Sequence, residues 1–234
     1  MPDFKHRSTQ EEMMDDFSLS HEIIDPIMDE LEVVNKLLGG YAVFFDAFKK
    51  IGLEDGMIIS DWGCGGGDSL RIIANWARKR NLKIKLVGVD ATESAIEYAR
   101  QKSSNFPEIS YILADVMSDQ LLPKQFDIVI SSLFTHHFID SDWIQLIQKM
   151  KNCASKHVII NDLHRHWFAY YSIGLITSLF SKSAMVKHDS KVSVLRSFRR
   201  NELRNLLQKG GIKTYSIKWM WAFRWQVCID TQRK

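Results

Sequence analysis

The segment SDWGCGGGDSL, Ser60 to Leu70, decides how this chain is read. It sets Gly63, Gly65, Gly66 and Gly67 between an apolar run ending at Trp62 and a helical pattern opening at Asp68. A strand, a glycine turn and a helix in that order let backbone approach a ligand closely. A phosphate-binding P-loop would need Lys-Ser or Lys-Thr after its last glycine, and neither pair is there. A dinucleotide loop would need G-x-G-x-x-G. Counted from Gly63 its third glycine position is Asp68, and counted from Gly65 it is Leu70. The spacing present is Asp-x-Gly-x-Gly-x-Gly, at Asp61, Gly63, Gly65 and Gly67. Carboxylates at Asp61 and Asp68 flank the glycines. They would repel a pyrophosphate and suit a cationic, phosphate-free ligand.

Working outward, short apolar runs alternate with helical patterns. Strands are expected at 57–62, 84–90, 109–115, 126–134 and 157–163, with helices at 68–81, 91–103 and 140–154. Continuous apolar strands divided by helices predict a parallel sheet covered on both faces. Past residue 163 comes an uncharged apolar segment, Trp167–Phe180, then a polar stretch, then a helix at 200–211. Two aromatic strands, KTYSIKWMW and FRWQVCI, close the chain as an antiparallel pair. On the N-terminal side, 21–40 has apolar residues at helical spacing, with Ser20 as expected cap and Gly39 and Gly40 as its stop. A second short helix covers 41–52. Thr92 is the expected cap of the helix after the second strand. The first dozen residues are polar, the one place where disorder is expected.

Composition narrows the function classes. Across 234 residues, 31 basic and 28 acidic side chains leave a net charge of +3, too small to argue for nucleic acid. The arginine-rich RSFRRNELR, Arg196 to Arg204, reads as a solvated helix start. Cys64, Cys153 and Cys228 form no C-x-x-C pair, so neither a zinc site nor a disulfide framework is expected. A reducing, cytoplasmic setting fits, and MPDFKHRSTQ lacks the apolar core of a signal peptide. Trp167–Phe180 is shorter than the ~20 residues that span a bilayer, so no integral span is expected. A buried or lid helix is the preferred reading there, and a membrane-surface helix the alternative.

These motifs resemble those of the class I S-adenosylmethionine-dependent methyltransferases, strongly over residues 57–163. DWGCGGGD is similar to that family's first motif, VGVD ends the second strand on Asp90, and LADV ends the third on Asp115 and Val116. The resemblance implies an α/β fold: a doubly wound, mostly parallel seven-stranded Rossmann-like sheet with an antiparallel C-terminal hairpin. A methyltransferase domain would cover 53–234, with a lid insert at about 164–195. An N-terminal helical extension, also lid-like, would cover 1–52. It implies S-adenosylmethionine as cofactor, held by Asp61, Gly63, Cys64, Gly65, Gly67, Asp90, Ala91, Asp115, Val116 and Ser131. Asp61 would face the cationic amino-acid end and Asp90 the ribose hydroxyls. Asp115 and Val116 would meet adenine, and Cys64 fills the turn as a small residue.

The loop after the fourth strand, SSLFTHHF, lacks the proline signatures of nucleic-acid methylases and the paired glutamates of the protein arginine methylases. It looks like the small-molecule branch, which includes quinone-biosynthesis and polyketide-tailoring enzymes. The implied function is O-methylation of a phenolic, polyketide or carboxylic acceptor. His136, His137, His164 and His166 are the candidates for acceptor chemistry, a neutral histidine being able to take a phenol proton. Tyr41, Arg165, Trp167 and Tyr170 are the candidates for acceptor binding. No metal is expected, because no third ligand joins His164 and His166. A small-molecule acceptor and a second copy of the chain are the expected partners, with no nucleic acid. Two other readings stand beside this one: a cofactor-binding protein without turnover, and an RNA or DNA methyltransferase.

Overall fold

A computed structural model describes residues 2–15 and 19–232. Seven strands form one sheet: β1 (Ile58–Trp62), β2 (Lys85–Asp90), β3 (Ile109–Leu113), β4 (Phe126–Ser132), β5 (Ala154–Leu163), β6 (Tyr215–Met220) and β7 (Arg224–Asp230). The order is β3-β2-β1-β4-β5-β7-β6. The first five strands are parallel, and β7 runs antiparallel to both β5 and β6. This is the doubly wound, mostly parallel sheet with a closing hairpin that the alternation of elements predicts.

The alternation of side chains along each strand builds two cores. Ile59, Ile128, Ile130 and Ile159 point to one face, where α2 (Ala42–Ile51) and α3 (Asp68–Arg78) cover them with Phe44, Phe48, Leu70 and Ile73. Val129, Val158, Ile160 and Val227 point to the other, under α5 (Asp140–Cys153) and α8 (Arg200–Lys209). The second helix of the N-terminal extension is therefore part of the core. α1 (His21–Leu37) lies over α4 (Glu93–Lys102) and the glycine turn, where Arg71 bridges Gly66 O and Glu32 at 2.6 Å each.

The structure corrects several expectations. Ser20 and Thr92 sit at helix starts in extended backbone, yet neither side chain caps. β5 begins three residues early, at Ala154. The polar stretch after residue 180 is a helix, α7 (Ala184–Arg196), which Ser183 caps by accepting the Val186 amide at 3.3 Å. α7 packs on α6 (Trp167–Phe180), and its charges face away from the core except Asp189 and Arg196. The polar N-terminus is laid against the body. Arg7 stacks 4.2 Å over the Phe198 ring, and a short 3-10 helix, Met13–Asp15, meets α7. None of the helices among the described residues is long and apolar enough to cross a membrane.

Candidate active site

Gly63, Gly65 and Gly67 take φ of 70°, 46° and 72°, the left-handed region that favours glycine. At two of them there is no room for a side chain either. A Cβ on Gly63 would lie 2.2 Å from the Phe134 ring, and one on Gly67 2.2 Å from the Tyr111 hydroxyl. The amides of Gly63 and Cys64 donate to Val89 O, and Gly65 donates to Asp90 Oδ2 at 2.9 Å. Asp90 Oδ1 accepts the Thr92 amide at 3.0 Å. The turn is thus pinned to the end of β2 by the acid that closes that strand.

Above the turn is a cavity of about 1000 Å³ at the C-terminal ends of the parallel strands. Asp61 of β1, Asp90 of β2, Ser132 of β4 and Leu163 of β5 all reach its wall, the edge where open α/β sheets bind ligands. Asp61 is 1% exposed, and its Oδ1 has no hydrogen-bond partner. Burial, with Asp68 and Asp90 nearby, pushes its carboxyl well above the usual range. Asp68 is itself held by the Tyr41 hydroxyl at 2.6 Å and by Asn35 at 3.1 Å. A buried carboxylate without a counter-charge is costly, and a cationic ligand would relieve it. The residues present therefore fit a positively charged, phosphate-free ligand.

The same cavity carries a second polar cluster. After β4, Leu133 turns with φ of 53°, and a 3-10 turn, Thr135–His137, presents two imidazoles stacked with centroids 4.4 Å apart. His136 Nδ1 lies 2.7 Å from Asp162 Oδ1, while its Nε2 lies 3.3 Å from Glu12 Oε1 without hydrogen-bond alignment. Burial would lower the His136 pKa, but Asp162 and Glu12 outweigh it and push it up to about 9. His137 Nδ1 meets Asp15 Oδ1 at 2.6 Å, and Arg196 binds Asp15 Oδ2 at 2.6 Å. Burial opposes ionisation of Asp15, yet His137 and Arg196 hold its carboxyl far below the usual range. Glu12, His136 and His137 could together ligate a metal ion. In the structure, charged neighbours serve these carboxylates, Arg196 also lying 3.9 Å from Glu12 Oε1.

A family profile described as "Methyltransferase domain" matches residues 59–157, which run from β1 into β5. The chain carries a methyltransferase domain. The carboxylates at its glycine turn fit the cationic, phosphate-free cofactor that the sequence motifs imply, S-adenosylmethionine. Solved structures share the fold at low identity. A SAM-dependent methyltransferase from Aquifex aeolicus is 16% identical, with TM-score 0.60 over 80% of this chain and 88% of its own. Magnesium protoporphyrin IX methyltransferase from Synechocystis PCC 6803, with bound SAH, is 17% identical, with TM-score 0.55 over 83% of each chain. A complex of the Haloferax volcanii Trm112 methyltransferase activator with a methyltransferase gives 12% identity and TM-score 0.64, over 92% of this chain and 99% of that one. No curated protein sequence matches.

The expected site residues divide. Asp61, Gly63, Cys64, Gly65, Asp90, His136 and His137 line the main cavity. Gly67 starts α3 just behind it, and Ser131 is buried, donating to Trp62 O at 2.9 Å. Asp115 and Ala91 are exposed at neighbouring strand ends, with Val116 buried beside them. His164, His166 and Trp167 line a separate, smaller pocket with Arg199 and Arg200. Burial and the cations around His164 lower its pKa to about 4. Arg165 does not reach the main cavity. It is buried, and its guanidinium is taken by Glu202, Ser197 O, Phe4 O and Lys5 O. Tyr170 stacks edge-on with Phe4, and Tyr41 is spent on Asp68. Both ring nitrogens of His136 face carboxylates, so it is less suited to act as a base than the sequence reading allowed. Glu12, Asp15 and Arg196 escaped the sequence reading as members of this site. The first two lie in a polar N-terminus, and Arg196 in a run read as solvated, so no local pattern marks them.

Proposed function

We propose that the enzyme transfers a methyl group to an oxygen of a small hydrophobic acceptor, a phenolic, polyketide or carboxylic compound. The observation that carries this is the paired His136–Asp162 and His137–Asp15 contacts in a cavity that also presents apolar side chains, including Met28, Leu31, Phe134, Ile173, Ile176 and Val194. About 1000 Å³ holds a nucleoside-sized cofactor and an acceptor side by side.

S-adenosylmethionine, when bound, supplies an electrophilic methyl carbon on a sulfonium. Asp61 and Asp68 would face its cationic end and Asp90 the ribose hydroxyls, a carboxylate-to-diol pairing. Asp115 and Val116 would meet the adenine ring. His137, its Nδ1 held by Asp15, has Nε2 left to take the acceptor hydroxyl proton. His136, with both ring nitrogens facing the carboxylates of Asp162 and Glu12, does not compete as base and fixes the turn that carries His137. The apolar walls exclude water and align oxygen, carbon and sulfur.

The test incubates the enzyme with methyl-labelled S-adenosylmethionine and a metabolite extract, then reads products by mass spectrometry. A labelled apolar product, lost in His137→Gln while cofactor binding persists, is expected. Cofactor binding with no labelled product in any extract would instead mark a binding protein without turnover. Label entering RNA or DNA would overturn the small-molecule reading.

A further inference from the structure

We infer that the outer face of α6 and the tip of the β6–β7 hairpin dock the enzyme on an anionic lipid bilayer surface. α6 has no charged residue in 14 positions. A helix apolar all round belongs in a core, yet one side of this one is open to solvent. Trp167, Phe168, Tyr171, Leu175, Leu179 and Phe180 are 49–71% exposed. Four of them recur every fourth residue, which makes one stripe along the helix. The stripe continues into the hairpin. Phe223 packs on Phe168 and Trp219, and Trp221 beside it is 68% exposed.

Charge names the occupant. Residues 164–200 hold seven Lys or Arg and one acid; Arg165 and Arg196 are buried on Glu202 and Asp15, which leaves Lys182, Lys187, Lys191, Arg199 and Arg200 as the cations that are not buried. The acid, Asp189, is buried and accepts the Met13 and Met14 amides. Lys182 follows α6 directly, Lys191 packs against its Gly174, and Arg199 and Arg200 share a pocket with Trp167 at its start. An apolar stripe with tryptophans and a surround of cations is the pattern of a helix lying in the headgroup layer of an anionic membrane. Fourteen residues span only about 21 Å, so the helix lies on the surface and does not cross. Ala169, Ser172, Ile173 and Ile176, on its inner side, line the main cavity. One helix thickness therefore separates the bilayer from the acceptor space. That last link rests on the proposed function; the docking does not.

Sedimentation of the full chain with extruded vesicles tests this without any acceptor, so its failure leaves the reaction reading untouched. Binding to phosphatidylcholine–phosphatidylglycerol vesicles is expected to exceed binding to phosphatidylcholine alone and to weaken with salt. The double variant Leu175→Asp, Leu179→Asp and the double variant Lys182→Glu, Arg199→Glu should each lower it at least about tenfold. Cofactor binding, measured alongside, shows that the variants fold. No sedimentation with anionic vesicles, or sedimentation that both variants leave unchanged, overturns the inference. So does a dimer in sedimentation equilibrium that the aspartate variant dissociates, which would assign the face to a second copy.

Discussion

Asp162 holds His136 at two points: Oδ1 lies 2.7 Å from the ring Nδ1, and Oδ2 accepts the backbone amide at 3.0 Å. The same Oδ2 takes the Thr135 hydroxyl at 2.7 Å. One acid at the end of β5 thus sets the turn after β4, and with it where both imidazoles point.

This pair predicts how stability depends on pH. The His136 pKa rises from an ordinary 6.5 to about 9, so its stabilising contribution is complete below 6.5 and fades as pH climbs through 9. Asp162 is shifted the other way by His136 despite its burial, so its contribution is present above the ordinary 3.8 and fades in acid below that. The melting temperature should fall on going from pH 6 to beyond 9, read by scanning calorimetry. Asp162→Asn should flatten that alkaline slope and cost roughly 3–5 kcal/mol, the usual penalty for stripping one partner from a buried pair.

Asp61 predicts two effects of opposite sign. Buried beside two other acids and with Oδ1 unpaired, it destabilises the cofactor-free protein when ionised. Because its pKa is raised on folding, that penalty grows as pH rises above 3.8. Asp61→Asn should therefore raise the melting temperature of the free enzyme by an amount on the order of 1–3 kcal/mol in stability at pH 8. It should at the same time weaken S-adenosylmethionine at least about tenfold by calorimetry, if a cation sits there. Loss of both stability and affinity would mean that Asp61 is structural.

The glycines separate strain from collision. Gly211, with φ of 71°, has nothing near its missing Cβ and lies outside the cavity, so Gly211→Ala should cost about 1–2 kcal/mol of stability and leave cofactor affinity intact. Gly63→Ala adds a collision with Phe134, a cavity residue, and should lose cofactor binding by more than about tenfold. Thermal melts with and without cofactor distinguish the two.

His137 and Asp15 carry the kinetic prediction. His137→Gln should lower kcat by about 10²–10⁴ while the cofactor Kd stays put, and Asp15→Asn should fall between it and wild type. Equal loss of cofactor binding in both variants would return the histidine to a structural role.

Much of this was legible because strand ends announce themselves. The apolar runs and the DWGCGGGD, VGVD and HH segments each end a strand, and the parallel order brings those ends to one edge. Asp61, Asp90, His136 and His137 could be named for that reason. Periodicity could not reveal the partners. Glu12 and Asp15 precede the first core helix by sequence, and only packing of the N-terminus against α7 brings them to the histidines. α7 itself escaped because its apolar positions, Val186, Val192 and Val194, are interrupted by charge and carry no clear stripe. Arg165 and His164 looked like site residues for the opposite reason. They follow a strand that does end at the ligand edge, but the chain there turns under α8, where Glu202 takes the guanidinium.

Arg7 is where the strap of residues carrying Glu12 and Asp15 is fastened. Its guanidinium reaches Arg196 O at 2.8 Å, Phe138 O at 2.9 Å, His136 O at 3.1 Å and Asp140 at 2.7 Å. Arg7→Met keeps the stem over Phe198 and removes the donors, leaving carbonyls of the histidine turn unpaired, at about 1–3 kcal/mol. None of these contacts touches the glycine turn, so cofactor affinity should hold. The strap should loosen from the histidines, raising KM for the acceptor and exposing residues 8–15 to limited proteolysis. Arg7→Lys, which keeps a charge for Asp140 but not the fork that spans three carbonyls, should behave closer to Met than to wild type. A lysine variant with wild-type KM and protease resistance would show that the ion pair with Asp140, and not the grip on the turn, is what holds the strap.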